Sequence, residues 1–275
     1  MLLRARSIQA RLFPQGHLDL ARQLLLFAAA YYAYRYTRGW VNTPDVAATA
    51  FSNARALIDV ERTLNIFVEP SLQALVAGER WLFDTASWIY INAQTTVTLA
   101  CLIWIYLFRN TSFYFVRNMF LTAFFIALVG YVVYPTAPPR FFPEWGFFDT
   151  VEAFTKVPQD SVTIDALFNP YAAVPSMHVG FALMIGWPLA LLAKRRAVKI
   201  FWATYPLLVT FVIVVTANHF IADAVLGAMT AGIGALVALA LAQLRPVWAF
   251  RGDPGRPDDA PPVVVGAPAR KPAAA

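Results

Sequence analysis

The sequence predicts an all-α, polytopic membrane protein: a bundle of six transmembrane helices with one amphipathic helix lying along the membrane surface. Three observations carry this. Of the 275 residues, 59% are hydrophobic and only 14% charged, a balance too apolar for an ordinary soluble domain. The apolar residues fall into runs long enough for membrane-crossing helices. The cations gather in short clusters between those runs, so the formal charge of +6 follows from membrane topology better than from a nucleic-acid partner. The single cysteine, Cys101, lies inside an apolar run and has no partner for an internal disulfide.

Residues 1–17 are polar, with Arg4, Arg6 and Arg11, as suits a cytoplasmic segment. A first span is expected over Leu18–Tyr36, with Arg22 and Arg35 snorkelling. Ala28-Ala29-Ala30 offers a signal-peptide cleavage site as the alternative, which Tyr31-Tyr32, an interfacial belt, argues against. From Asp45 to Gly78, Phe51, Ala54, Leu57, Ile58, Leu64, Phe67 and Val68 recur at near-helical spacing opposite Arg55, Asp59 and Arg62. A segment so charged is expected to lie along the surface. Arg55 and Arg62 either contact a ligand or pair with Asp59, the second being favoured.

The second span, Thr85–Phe108, opens with Asn92, Gln94, Thr95, Thr96 and Thr98, whose side should face the bundle interior. A turn over Arg109–Arg117 precedes a third span, Met119–Tyr134. Residues 135–174 read as a loop rich in proline and aromatics, with Glu144, Asp149, Glu152, Asp160 and Asp165, long enough to cover a site. The fourth, fifth and sixth spans are Ser176–Ala193, Ile200–Thr216 and His219–Leu244, with a basic turn at Lys194-Arg195-Arg196 and Lys199. Residues 18–245 thus form one catalytic bundle, and the Pro-, Ala- and Gly-rich stretch 246–275 reads as a disordered cytoplasmic tail.

Two stretches carry chemistry. Pro175-Ser176-Met177-His178 and His219 through Asp223 each open an apolar helix. On a helix, Asp223 lies on the face of His219 and can hold its tautomer, leaving the other ring nitrogen free to attack. Ser176 and Asn218 read as N-caps, so two helix N-termini with their unsatisfied N–H groups would point at one anion. A phosphoryl group fits such a place: it needs an in-line nucleophile, a proton donor and fixed positive potential. His219 is the expected nucleophile and His178 the acid. Ionisable groups beside hydrocarbon are costly, which favours function over a structural hydrogen bond for this pair.

These residues resemble the type 2 phosphatidic acid phosphatase superfamily of membrane phosphatases and phosphotransferases. Pro175-Ser176-Met177-His178 is similar to its P-S-x-H element, and Thr216-Ala217-Asn218-His219 through Asp223, with Gly227, to its H-x-x-x-D element. Tyr134-Pro135-Thr136-Ala137-Pro138-Pro139-Arg140 looks like the first element of the branch that includes inositol phosphorylceramide synthases. The resemblance implies a phosphohistidine on His219 oriented by Asp223, with His178 protonating the leaving group. Arg140, Ser176, Met177 and Asn218 would bind phosphate, and no metal or other cofactor is called for. Two departures stand out: Val133 occupies the place of a family lysine, and Ile213 that of a family arginine. The implied partners are a phospholipid or polyprenyl-phosphate-type substrate and a polar alcohol acceptor such as inositol or a sugar.

Of the 22 lysines and arginines, fifteen fall in the N-terminal segment with Arg22 just after it, the two basic turns, and the tail with Arg245 just before it. Seven (Arg35, Arg38, Arg55, Arg62, Arg80, Arg140 and Lys156) fall on the opposite side. The larger group is expected in the cytoplasm, which puts all three motifs on the outer side of the cytoplasmic membrane. Two rival readings remain: a metal-dependent hydrolase using His178, His219 and Asp223 as zinc ligands, and a non-catalytic lipid-binding or transport protein.

Overall fold

The computed structural model describes residues 13–41, 44–157 and 171–244. The helices are α1 (His17–Val41), α2 (Pro44–Thr63), α3 (Glu69–Ala77), α4 (Arg80–Phe108), α5 (Asn110–Val133), α6 (Thr150–Thr155), α7 (Met177–Leu192), α8 (Arg196–Val215) and α9 (Ile221–Leu244). Among the described residues there is no strand, only an isolated bridge between Thr136 and Ala172. Arg4, Arg6, Arg11, Asp160, Asp165 and the tail from residue 245 lie outside the described residues.

Four helices, α4, α5, α8 and α9, are long and apolar enough to cross a membrane. The other two spans read from the sequence are helices as well, but α1 carries Asp19, Arg22 and Arg35, and α7 has only 16 residues, about 24 Å of helix. One boundary differs markedly. The basic turn expected at Arg109–Arg117 is absent: only Arg109 separates α4 from α5. Arg117 is buried instead of solvated, because α1 supplies it with partners. Its Nη1 donates to Gln23 Oε1 at 2.9 Å and its Nη2 to Asn118 Oδ1 at 2.7 Å. Gln23 Nε2 and the Tyr114 hydroxyl donate to Asp19 at 2.9 and 2.6 Å. A polar network of this kind satisfies charge that would otherwise be costly away from water.

The core of the bundle is formed by α4, α5, α7, α8 and α9, and glycine sets how closely the backbones of α5, α7, α8 and α9 approach. A Cβ built on Gly227 would lie 2.1 Å from the Ser176 carbonyl oxygen, and one on Gly234 would lie 2.8 Å from that of Met119. The small residues therefore bring the start of α7 against the first turns of α9. The polar side expected for α4 divides: Thr98 is buried and Gln94 half-buried, whereas Thr95 and Thr96 are exposed. Asn92 satisfies itself on the Trp88 carbonyl at 2.9 Å.

The charged segment at 45–78 is two helices rather than one. Asn65, with φ of 57°, turns the chain between α2 and α3 in the left-handed region that asparagine tolerates. The apolar stripe of α2, Ala50, Ala54, Leu57 and Ile58, packs against Phe142, Phe147, Val174, Ala217 and Phe220. Leu64 and Val68, expected on that stripe, are exposed. Arg55 and Arg62 form no ion pair with Asp59 among the described residues. Their guanidinium groups lie over aromatic rings of the loop and of the α2–α3 turn: Arg55 is 5.8 Å from the Phe142 centroid, and Arg62 is 5.1 Å from both Phe67 and Trp145. The described residues 134–157 that follow α5 form a cap over this end of the bundle. Asn53 Nδ2 donates to the Pro135 carbonyl at 2.8 Å, Ala137 N–H donates to the Ala50 carbonyl at 3.1 Å, and Phe142 stacks on Trp145.

Replacing Gly227 with alanine is expected to destabilise the detergent-solubilised protein by about 1–3 kcal/mol or more, since the added methyl meets backbone. Gly232→Ala, with nothing within 4 Å of the new Cβ, should leave Tm unchanged or slightly raised; the two unfolding curves measured side by side check the packing.

Candidate active site

Helix α8 ends in a tight turn that presents His219. Ala217 takes a positive φ of 50°, and the N–H groups of Asn218 and His219 both donate to the Ile213 carbonyl, at 3.1 and 3.2 Å. The imidazole is thus aimed by the turn and not by a helix: α9 begins only at Ile221. The pairing expected from a helical register survives by another route. Asp223, in the first turn of α9, reaches back so that its Oδ2 accepts the Phe220 N–H at 2.9 Å, as the acidic member of a capping box does. The same oxygen lies 3.3 Å from His219 Nδ1, which also faces the Ala173 carbonyl at 3.1 Å. Two acceptors at Nδ1 fix the proton there and leave Nε2 with its lone pair.

That lone pair meets the start of α7. His219 Nε2 is 3.3 Å from His178 Nδ1, so His178 is the donor in this contact. Tyr90 of α4 stacks on the His178 ring with centroids 4.7 Å apart. Ser176 occupies the N-cap position as the sequence indicates, but its side chain does not cap; its Oγ is buried without a partner. Its N–H is tied to the Asp223 carbonyl at 3.0 Å, which locks α7 to α9 at the site. Met177 is buried, and with His178 and Val179 it opens α7 with N–H groups that have no intrahelical acceptor.

Arg140 arrives from the cap. Its N–H donates to the Ala217 carbonyl at 2.9 Å and its Nη1 donates to Asn218 Oδ1. Asp149 lies 3.5 Å from its Nε, and the Phe141 ring lies beneath its guanidinium. Asn218 is therefore not an N-cap. It steers Arg140, and its own Nδ2 donates to the Thr216 carbonyl at 2.9 Å. Burial, followed by the charge of Arg140, pushes the His219 imidazolium down to about 3, so the ring is neutral and able to attack at physiological pH. Val133 is 74% exposed on the outside of the bundle, and Ile213 is fully buried beneath the His219 turn, so neither position brings a cation to the site.

One expectation is overturned. The N-terminus of α9 is not open to an anion, because acids already occupy it. Glu69 Oε1 accepts the Ile221 N–H at 3.0 Å and Glu61 Oε1 accepts the Ala222 N–H at 2.7 Å. Of the two helix ends read as anion sites, only that of α7 keeps its N–H groups available. Glu61, Glu69 and Tyr90 are the residues that sequence reasoning missed. A signal existed for Glu61, which continues the stripe Ala50, Ala54, Leu57, Ile58 at helical spacing and so had to be buried. The zinc arrangement is not formed either: Asp223, His219 and His178 stand in a line, with His219 using both ring nitrogens, and among the described residues no three such side chains converge on one point.

In protein carrying 15N-labelled histidine, the His219 signals should remain those of a neutral, Nδ1-protonated ring as the pH falls from about 8 to about 5, because its titration lies near 3. Asp223→Asn, which replaces the carboxyl at 3.3 Å from Nδ1 by an amide, should shift the Nδ1 resonance.

The sequence pattern of the PAP2 superfamily matches residues 55–237, a stretch holding Arg140, His178, His219 and Asp223. No curated protein and no solved structure matches the chain. With well over half its length matched, this all-helical membrane protein belongs to the PAP2 superfamily and is a phosphatase-type enzyme.

Proposed function

We propose that the chain is an integral-membrane lipid phosphatase or phosphotransferase that works through a phosphohistidine on His219. The observation that carries this is the line Asp223–His219–His178, with contacts of 3.3 Å at each step, beside a cation and an open helix N-terminus. In the first half-reaction His219 Nε2 attacks phosphorus and the phosphate ester P–O bond breaks. His178, as the imidazolium that a bound phosphate dianion favours, gives one proton to the departing oxygen and becomes neutral, and Asp223 stabilises the imidazolium character that develops on His219. In the second, His178 takes a proton from water or an alcohol whose oxygen attacks phosphorus. The P–N bond then breaks and returns the electron pair to Nε2.

Substrate must part the two rings, since the phosphoryl group has to lie between them. Its equatorial oxygens are then within reach of Arg140 and of the N–H groups opening α7, which supply fixed positive potential. Beyond His178 a small cleft between α4, α7 and α8, lined by Tyr90, Gln94, Tyr205, Val209 and Ile213 among others, is mostly apolar. The candidate donors are a phosphatidate, a polyprenyl phosphate, phosphatidylinositol or a glycolipid precursor; the acceptors are water, inositol or a sugar. With six spans and α2 along the surface, as we read the chain, the cation distribution supports a site on the extracytoplasmic leaflet of the cytoplasmic membrane.

Purified protein incubated with those lipids, with and without the alcohol acceptors, should turn one of them over and form an acid-labile phosphoenzyme, and His219→Ala should abolish both. His178→Ala should slow alkyl esters by roughly 10²- to 10⁴-fold and a nitrophenyl ester, whose leaving group needs no proton, far less. Full turnover by the His219 variant, or lipid binding that both variants retain with no turnover by the parent, would rule the reading out.

A further inference from the structure

Glu61 and Glu69 are both fully buried, at 0% exposure, yet among the described residues neither forms an ion pair. Glu61 comes from the last turns of α2 and Glu69 opens α3, so the Asn65 turn between the helices brings the two carboxyls together. Each uses one oxygen on a backbone N–H of the first turn of α9, Glu69 on Ile221 and Glu61 on Ala222. The second oxygens, both Oε2, are buried and find no N–H or hydroxyl donor. Two carboxyls held on adjacent N–H groups in one buried place, each with an unsatisfied oxygen, cannot both be ionised at low cost, so one of them carries a proton.

We propose that Glu61 and Glu69 are positioning residues for the phosphoryl-transfer site, a carboxyl–carboxylate pair sharing one proton that fixes the first turn of α9 and so aims His219 and Asp223. This rests on the function proposed above. The geometry is direct. Ile221 and Ala222, which the pair holds, lie between the reactive imidazole and its acid, and Asp223 secures the adjoining Phe220 N–H. Three consecutive N–H groups are thus each taken by a different carboxyl, from α3, α2 and α9 itself. The titratable groups whose charge reaches Glu61 are Glu69 and Asp223, both acids. Burial first, then the hydrogen bond to Glu69, raises Glu61 from its ordinary 4.5 to about 9, against the lowering effect of the Ala222 N–H.

The sign of the linkage follows. Between 4.5 and about 9 the folded chain keeps a proton that the unfolded chain releases, so raising the pH across that window favours unfolding. Glu61→Gln keeps an acceptor for Ala222 and supplies an N–H donor to Glu69 with no titrating proton. Glu61→Ala leaves the Ala222 N–H without its acceptor and Glu69 without its donor.

The test measures thermal unfolding of the full chain in detergent from about pH 5 to about pH 9, together with kcat and KM on whichever lipid proves active. Tm of the parent should fall with rising pH, and Glu61→Gln should flatten that dependence and raise Tm at the alkaline end. Glu61→Ala should lower kcat by roughly 10- to 100-fold, as misplaced reacting groups do, with KM changed less, and Glu61→Gln should restore it. Parallel Tm curves for the parent and Glu61→Gln, or an unchanged kcat in Glu61→Ala, would overturn the proposal. Unfolding needs no substrate, so loss of the enzymatic reading through the His219 variant would be seen separately from failure of the shared proton.

Discussion

The site depends on one backbone contact, the approach of Ser176 to Gly227. It joins the start of α7 to α9 closely enough that the Ser176 N–H reaches the Asp223 carbonyl at 3.0 Å, and no side chain larger than hydrogen fits at residue 227. His178 follows Ser176 by two residues and His219 precedes Asp223 by four, so this single contact sets the separation of the imidazoles. Everything chemical at the site is downstream of it. Packed interiors deform little, and a shift of an ångström between α7 and α9 would break the contact between the two rings.

Around that contact the protein treats two neighbouring helix ends in opposite ways. The α9 end is closed by Glu61, Glu69 and Asp223, while the α7 end keeps the N–H groups of Met177, His178 and Val179. Acids at an N-terminus are favourable to the helix dipole, so α9 is held firmly in place at the cost of being unable to receive an anion. Arg140 is also constrained, by Asn218, Asp149 and the Phe141 ring. A guanidinium fixed in this way loses little freedom when it meets a phosphate.

How much of this could be read from the sequence varies with the physics involved. Not every helix start was legible: α9, expected to open at His219, begins at Ile221. The helices themselves were legible, because apolar runs are local signals, and so was Ser176 ahead of α7. So was the partnership of His219 and Asp223, although for a reason that differs from the helical register expected: the turn at Ala217 and the reach of Asp223 to Phe220 were not written in spacing alone. The role of Asn218 was misread, since Arg140, which it binds, lies 78 residues away in the chain. Arg109–Arg117 looked like a turn because charge is normally solvated, whereas Gln23, far off in sequence, shelters Arg117. Tyr90 carries no pattern that separates it from any other aromatic residue in a span.

On the mechanism proposed above, the acids that close α9 bear on how a neutral histidine would serve as the nucleophile in so buried a place. An imidazole beside Arg140 and away from water resists protonation, which preserves its lone pair but leaves the positive character that develops during attack without solvent to stabilise it. Asp223 answers that need only if its carboxylate stays aimed at Nδ1 while also holding the Phe220 N–H. With Ile221 and Ala222 fixed by other side chains, Asp223 is relieved of securing the helix alone, and its alignment with His219 Nδ1 already exists before substrate arrives. Such preorganisation is worth more in a low-dielectric site than it would be in water, and on the proposed mechanism it accounts for two carboxyls that, among the described residues, form no ion pair beside a centre that would bind an anion.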